Sequence, residues 1–425
     1  MSSTSGTGCR TTTHEVLVVG GGPSGAVCAY WLAETGHDVL VVEKKRYPRE
    51  KTCGDGLTPR AVRQLDDMGM ADQLARHHRF TGLRSVAFGR ELELEWPDVG
   101  GMPRHGYVVT RHDLDHAVAA RAEKAGASVW QGAEAVSPLV EDGVLRGAAV
   151  KDKATGQTVE ARATYVVVAD GANSRFGRAV GTRRNRAWPQ GMAIRGYFTS
   201  PRHDEPWIES HLDVRDSDGN VLPGYGWIFP VGDGRVNVGI GLLSTFSQWK
   251  EVNTTKLMEA FVASPQCAAW GISPRTACGA PTGGRLPMGL AVGPWSGPTW
   301  LGTGDAIGAI NPFNGEGIAY AYETGRIASR LLHEALVSGD ALALRAYEKE
   351  IQAAYGLYFK VARAFVKIIG RPRLMRALVG TGMHSRTLME WVLRIMANLL
   401  RPDELGPAEA AYRAVAALAR VVPER

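Results

Sequence analysis

The chain has 425 residues, 44% of them hydrophobic and 22% charged, a size and composition that supports more than one globular domain and excludes a fibrous or low-complexity protein. Its formal net charge of +6 comes without a recognition motif or an aromatic-interleaved basic patch, so it speaks against nucleic acid and for an anionic surface or a phosphate-bearing ligand. Five cysteines, an odd number with no CxxC pair, argue against a disulfide framework or a metal site and for a reducing cytoplasm.

Residues 1–13 are rich in Ser, Thr and Gly and read as a disordered head without a signal peptide. Val16-Leu17-Val18-Val19 is a continuous apolar run that ends at glycines, the pattern of a buried parallel strand. Gly20-Gly21-Gly22-Pro23-Ser24-Gly25 follows, then a helix over Ala26 to Glu34 closed by Gly36, then a strand over Val39 to Val42. In this β-turn-α-β setting the GxGxxG spacing has a mechanism. Gly20 permits the tight turn, Gly22 lets the backbone approach a pyrophosphate, and Gly25 lets the helix pack close to the strand. The helix N-terminus, carrying Pro23 and Ser24, faces the phosphates with free N–H groups. Glu43 ends the second strand about 20 residues further on, with Lys44 beside it, where a carboxylate accepts ribose hydroxyls. That choice favours FAD or NAD(H) over NADP(H).

Beyond Pro59 the pattern is helical, and a second helix is expected over Leu114 to Ala125 before a strand near Val129. Gly143 to Val150 and Val159 to Val168 alternate as a small antiparallel piece and a return to the parallel sheet. Arg195 to Val238 reads mainly as β, with turns at Asp218-Gly219 and Asp233-Gly234, and Asn253 to Ala263 as a helix. Trp300-Leu301 leads into a second glycine turn at Gly302 to Asp305, and a helix runs from about Gly317 through Leu332. From Ala341 onward helices are expected, broken at Gly370, Pro372, Gly380, Gly382 and Pro402. No apolar run reaches the roughly 18 residues of a spanning helix.

Three later segments resemble a flavoprotein group that includes aromatic hydroxylases and geranylgeranyl reductases. The first is Val166-Val167-Val168-Ala169-Asp170-Gly171-Ala172-Asn173-Ser174-Arg175, and the second is Gly302-Thr303-Gly304-Asp305-Ala306. The third is Arg111 with Asp113, Leu114 and Asp115, which resembles the arginine segment flanking FAD in that group. The resemblance implies that Asp305 contacts the flavin ribityl chain. It also implies that Asn311-Pro312-Phe313-Asn314-Gly315-Glu316-Gly317 starts a helix near the isoalloxazine, where its dipole would stabilise negative charge on the reduced ring. Cofactor contacts are therefore expected from Gly20, Gly22, Pro23, Ser24, Gly25, Glu43, Lys44, Arg111, Asp170, Gly304, Asp305, Gly315 and Gly317.

Tyr225-Gly226-Trp227-Ile228-Phe229-Pro230 with Gly239-Ile240-Gly241, and Cys53-Gly54-Asp55-Gly56-Leu57-Thr58-Pro59-Arg60-Ala61, narrow the resemblance to the geranylgeranyl reductase family of FAD-dependent oxidoreductases. It implies an α/β fold: a Rossmann-like FAD-binding domain over 14–90, 105–185 and 283–340. An antiparallel-sheet substrate domain is inserted over 91–104 and 186–282, and a helical region follows over 341–425. It implies saturation of a C=C bond in a polyprenyl lipid, with menaquinone foremost and geranylgeranyl lipids, diphosphates or terpenoids as alternatives. Tyr225, Trp227 and Phe229, alternating onto one strand face, would line the apolar chain. Cys53 and Asp55 are the catalytic candidates. A flavin monooxygenase on the same fold and a non-catalytic redox sensor are the competing readings. The electron donor is expected to be NAD(P)H or a protein carrier.

Between Tyr355 and Arg401 the basic residues Lys360, Arg363, Lys367, Arg371, Arg373, Arg376, Arg386, Arg394 and Arg401 face a single Glu390. Apolar residues lie between them. Such broken amphipathic helices either pack on the catalytic body or lie on an anionic bilayer, which would make the protein peripheral at the inner face of the membrane.

Overall fold

The computed structural model describes residues 10–400 and 406–421. β1 (Arg10–Val19) sits in the middle of a parallel sheet, paired on one side with Thr158–Val168 and on the other with β2 (Val39–Glu43). Trp300–Gly302 extends the sheet beyond Thr158–Val168, and Ser128–Gln131 extends it beyond β2. The strand therefore starts earlier than the composition of the head implies. Thr11, Thr12 and Thr13 pair in register with Glu160, Ala161 and Arg162, because β-branched threonines suit a strand once a partner is present. Residues 1–9 lie outside the described residues.

α1 (Pro23–Glu34) is buried on almost every side, at Ala26, Val27, Cys28, Ala29, Tyr30, Leu32 and Ala33. It is packed between the sheet and the helix Ile318–Ser338, and no polar face is needed. The two helices approach closely because Gly325 has no side chain: a Cβ there would lie 2.4 Å from the Ser24 carbonyl oxygen.

The second body is a mixed sheet in the order Thr282–Pro287, Gln190–Thr199, Arg235–Leu243, Gly224–Pro230, Trp207–His211, Gly82–Ala87, Arg90–Glu95. It takes in Gly82–Ala87, upstream of the boundary expected at residue 90, and the expected end at 282 also falls on a strand of this sheet. The physical reason is a parallel pairing of Gly82–Ala87 with Trp207–His211, invisible to local patterning. A short sheet of Gly56–Leu57, Gly106–Val108 and His78–Phe80 is drawn from segments on either side of Gly82–Ala87 and Arg90–Glu95. The C-terminal region is helical over Leu357–Ile369, Pro372–Gly382, Arg386–Met396 and Pro407–Val421. Gly380 lies inside a helix rather than breaking one. Pro402 and Arg401 lie outside the described residues.

Candidate active site

The sequence-predicted cofactor residues converge at one end of the parallel sheet. Gly20 has φ 106 and turns against the next crossover; a Cβ there would lie 2.4 Å from the Ala169 carbonyl oxygen, beside Asp170. A Cβ at Gly25 would lie 2.0 Å from the Gly20 carbonyl oxygen, so the helix can start this close to the strand only with glycine. Gly22 differs: the nearest atom to a Cβ there is 3.8 Å away. Its backbone is therefore open to a ligand, and it caps α1 with no side-chain hydrogen bond, Pro23 being in the first turn.

Glu43 is buried. One of its oxygens accepts from the Gly21 N–H at 3.0 Å, and the other accepts from the Lys45 N–H at 3.0 Å. Arg49, not expected from the sequence, bridges Glu43 at 3.3 Å and the buried Asp115 at 2.8 Å. Lys44 is exposed next to this pair, and its charge reaches Asp170. Gly304, with φ 59, packs over Ser24, and its N–H is held by Thr324 Oγ1 at 3.0 Å. The Asp305 carboxylate has no hydrogen-bond partner among the described residues. It lies close to Gly317, the uncapped N-terminus of the helix Ile318–Ser338.

Asp170 and Arg111, like Glu43, are already engaged by protein. Asp170 accepts from the Ser174 hydroxyl and from the Phe176 N–H at 2.9 Å, fixing the start of the helix Arg175–Ala179. Burial holds its carboxyl above the ordinary range. Arg111 forms a two-pronged ion pair with Asp115, at 2.7 and 2.9 Å, and both groups are buried.

From Gly317 the site runs on to the aromatic strand. Tyr225 donates its hydroxyl to the Asn314 carbonyl at 2.6 Å, beside Gly315. The rings of Tyr225, Trp227 and Phe229 follow one another at centroid spacings of 5.8 and 6.3 Å. Gly226 and Ile228 point the other way, toward Phe261 and a separate core. Phe229 lies against Gly54 and Gly56, and Trp227 covers Gly239. The aromatic row thus faces the Cys53 loop, as a wall for an apolar ligand would.

Cys53 Sγ accepts from the Asp55 N–H at 3.3 Å, and burial pushes its thiol up, partly offset by the charge of Arg111. Asp55 is fully buried in left-handed backbone, φ 66. Its carboxylate accepts from the Arg111 N–H at 3.2 Å, from Asn237 Nδ2 at 2.8 Å and from the Tyr197 hydroxyl. Asn237 also accepts from Trp227 Nε1 at 2.9 Å and donates to the Cys53 carbonyl at 2.9 Å. Burial raises the Asp55 carboxyl to about 6 against these bonds and the charge of Arg195. Tyr197 and Asn237 were not singled out from sequence. A lone Asn between Val236 and Val238 in a buried strand was the available signal.

An open glycine approach, an uncapped helix start, a free Asp305 carboxylate and a buried carboxylate, Glu43, at the end of β2 fit an FAD laid from α1 toward Gly317. Comparison with known proteins agrees. Residues 13–223 match the family model described as an FAD binding domain. The chain is 40% identical to menaquinone reductase of Mycobacterium tuberculosis over 97% of each chain. It is 29% identical to digeranylgeranylglycerophospholipid reductase of Thermoplasma volcanium over 77% of this chain and 80% of that one. In fold it matches the crystal structure of a geranylgeranyl bacteriochlorophyll reductase-like protein from Thermoplasma acidophilum. The TM-score is 0.77 over 95% of this chain and 100% of that one, at 24% identity. Fold and site define a two-domain oxidoreductase whose cofactor is FAD. Within that class, the chain belongs to the geranylgeranyl reductase family.

Proposed function

We propose that this chain saturates one isoprene double bond in the polyprenyl tail of menaquinone. The observation that carries the reading is the Tyr225–Trp227–Phe229 row facing the Cys53 loop, in a chain 40% identical to a menaquinone reductase along nearly its whole length. When bound and reduced, FAD would supply a hydride, which carries both electrons of the reduction. The residues around it hold, orient and dry the site. Gly20 to Gly25 and the α1 N-terminus would receive the pyrophosphate, Glu43 the ribose, and Asp305 the ribityl chain, and the uncapped helix start at Gly317 would stabilise negative charge on the reduced ring. The aromatic row excludes water from an unconjugated alkene, which accepts hydride only as a proton arrives. Cys53 borders this space as a neutral thiol. Asp55 holds the Cys53 loop to the second sheet and acts as a positioning residue.

Reducing equivalents come from NAD(P)H or from an electron-carrying protein, and anaerobic flavin bleaching with each donor separates the two. Among the described residues no helix is long and apolar enough to cross a membrane. The lipid substrate is reached instead from the inner membrane face, by contact of the C-terminal basic helices with the bilayer.

The test is mass spectrometry of menaquinone after anaerobic incubation with the chemically reduced holoenzyme. The expected product is heavier by two hydrogens after the naphthoquinone head has been reoxidised, with flavin oxidised in step. A mass that returns to the starting value on reoxidation overturns the reading. Geranylgeranyl lipids are then the next substrate class, and hydroxylated product under oxygen would identify a monooxygenase.

A further inference from the structure

The reaction needs a proton at the alkene, and the Asp55 carboxylate already accepts from three protein donors. Glu316 stands next to Gly315, which lies beside the Tyr225 hydroxyl, and its carboxyl meets Thr58 at the end of the Cys53 loop. It lies in the loop between Asn311 and the helix Ile318–Ser338, and its carboxyl is enclosed. Oε1 accepts the Thr58 hydroxyl, whereas Oε2 is buried without any hydrogen-bond partner. A buried carboxyl oxygen with no partner is costly unless it carries a proton and meets an acceptor that the protein itself does not provide.

Thr58 gives its hydroxyl to Glu316 rather than to its own helix. It is the N-cap residue of the helix Pro59–Asp67, where a threonine hydroxyl ordinarily accepts from the first turn. Here the helix start has no side-chain cap, and the hydroxyl goes to Glu316 instead. The backbone is fixed as well: the Asn311 N–H donates to the Glu316 carbonyl at 2.8 Å, and the Glu316 N–H donates to Asn314 Oδ1 at 3.0 Å.

The charged and titratable groups packed around it do not supply a counter-ion. Arg60, on Pro59–Asp67, is committed to Glu323 at 2.6 Å and to the Asn398 carbonyl at 2.9 Å. Glu323 also takes the Tyr355 hydroxyl at 2.7 Å. Tyr320, on the same helix as Glu323, and Tyr358, on Leu357–Ile369, complete the surround. Burial raises the Glu316 carboxyl to about 7, with Thr58 and Arg60 opposing and Glu323 assisting.

We propose that Glu316 is the general acid of the reaction, a reading that rests on the prenyl reductase function above. Saturating the double bond adds one hydride and one proton. The hydride and its two electrons come from the reduced cofactor to one alkene carbon, the π bond breaks, and the Glu316 O–H proton forms the new C–H bond at the other carbon. Glu316 is left as a carboxylate and regains its proton from solvent between turnovers.

The test uses the holoenzyme and Glu316→Gln, Glu316→Asp and Thr58→Val variants. Glu316→Gln should retain FAD absorbance and lose about 100-fold or more in kcat, the ordinary range for a general acid. Wild-type kcat should fall as pH rises through about 7, and this limb should be absent from the residual activity of Glu316→Gln. Thr58→Val removes a bond that favours the carboxylate, so its limb should move to higher pH, which a purely structural role would not produce. Independently of turnover, infrared titration should show a protonated-carboxyl band near neutral pH in the wild type and not in Glu316→Gln. A Glu316→Gln kcat within about threefold of wild type, or a pH limb that survives in it, overturns the proposal; if that variant does not fold, an unmoved limb in Thr58→Val does so. Failure of the wild type to reduce any prenyl chain overturns the reaction instead, and the infrared band still reports the state of Glu316.

Discussion

Burial pushes both Asp55 and Cys53, the two catalytic candidates in the sequence, toward their neutral forms, but at Asp55 several hydrogen-bond donors oppose it. Three donors enter the Asp55 carboxylate from three chain segments, so it ties Arg111 and the second sheet to the cofactor side. Tyr197→Phe removes one bond to a charged group and should cost about 1–3 kcal/mol. Asn237→Leu also strands Trp227 Nε1 and should cost more than Tyr197→Phe. Chemical denaturation of the two variants side by side checks the order, and equal losses would show that Asn237 contributes nothing through Trp227. The raised Asp55 carboxyl has a defined pH signature. The folded chain keeps a proton that the unfolded chain has released, so stability from this group is complete below about 4 and falls as pH rises through about 6. Asp55→Asn should remove that slope from a stability–pH curve. Cys53 is held neutral by burial. Iodoacetamide near neutral pH should label the exposed Cys278 well before Cys53, Cys28 or Cys267. Preferential labelling of Cys53 in a peptide map would mean that it is an activated thiolate, against the neutral-thiol role.

At the level of the β1–α1–β2 unit, the glycines divide into those the protein needs and those only a ligand needs. Gly25→Ala would drive a methyl into the Gly20 carbonyl, so it should destabilise the protein even without cofactor. Gly22→Ala meets nothing within 3.8 Å and should leave the cofactor-free protein as stable as wild type while weakening FAD binding at least tenfold. Thermal denaturation of apoprotein and fluorescence titration with FAD separate the two, and unimpaired FAD binding by Gly22→Ala would place the pyrophosphate elsewhere. This unit was legible in sequence because each cue in it is local: an apolar run, a glycine turn, a helix and an acid at a strand end. What escaped reading depends on distant partners. Gly82–Ala87 is short and acquires its place only by pairing with Trp207–His211. In sequence Glu316 is one residue of the run that leads into a helix, and its significance comes from Thr58, 258 residues away in sequence. Arg111 is expected from the sequence to flank FAD, yet its guanidinium is turned to Asp115 rather than left open, because that pairing forms only once the helix Arg111–Ala125 is buried. Gly380 was read as a break because glycine usually is one, whereas the flanking packing carries the helix through it.

The molecule as a whole presents one surface that neither body explains. On the C-terminal helices Met375, Met389 and Leu393 are buried, so one face packs on the body. Ile368, Leu374, Leu378 and Leu388 are instead 47, 41, 51 and 38% exposed. Lys367, Arg371, Arg373 and Arg376 stand among them with no acidic partner among the described residues, while Arg386 pairs with Glu390 and Arg394 with Glu409. Aliphatic side chains left in water beside such cations are the pattern that suits an anionic bilayer, where the cations would meet headgroups and the leucines would enter the acyl boundary. Four basic residues at about 1 kcal/mol each amount to roughly 4 kcal/mol, close to a thousandfold in partitioning, and this is the part that salt should remove. The protein should therefore sediment with anionic vesicles at low ionic strength, much less with neutral ones, and be released at high salt. A Leu374→Ser/Leu378→Ser double variant should bind more weakly with an unchanged melting temperature, since neither side chain is part of the core. An Arg371→Gln/Arg373→Gln variant should lose the salt dependence before it loses the residual apolar contact. If the wild-type protein stays in the supernatant with anionic vesicles at low salt, this face does not dock on lipid, and the prenyl substrate must reach the aromatic row by another route.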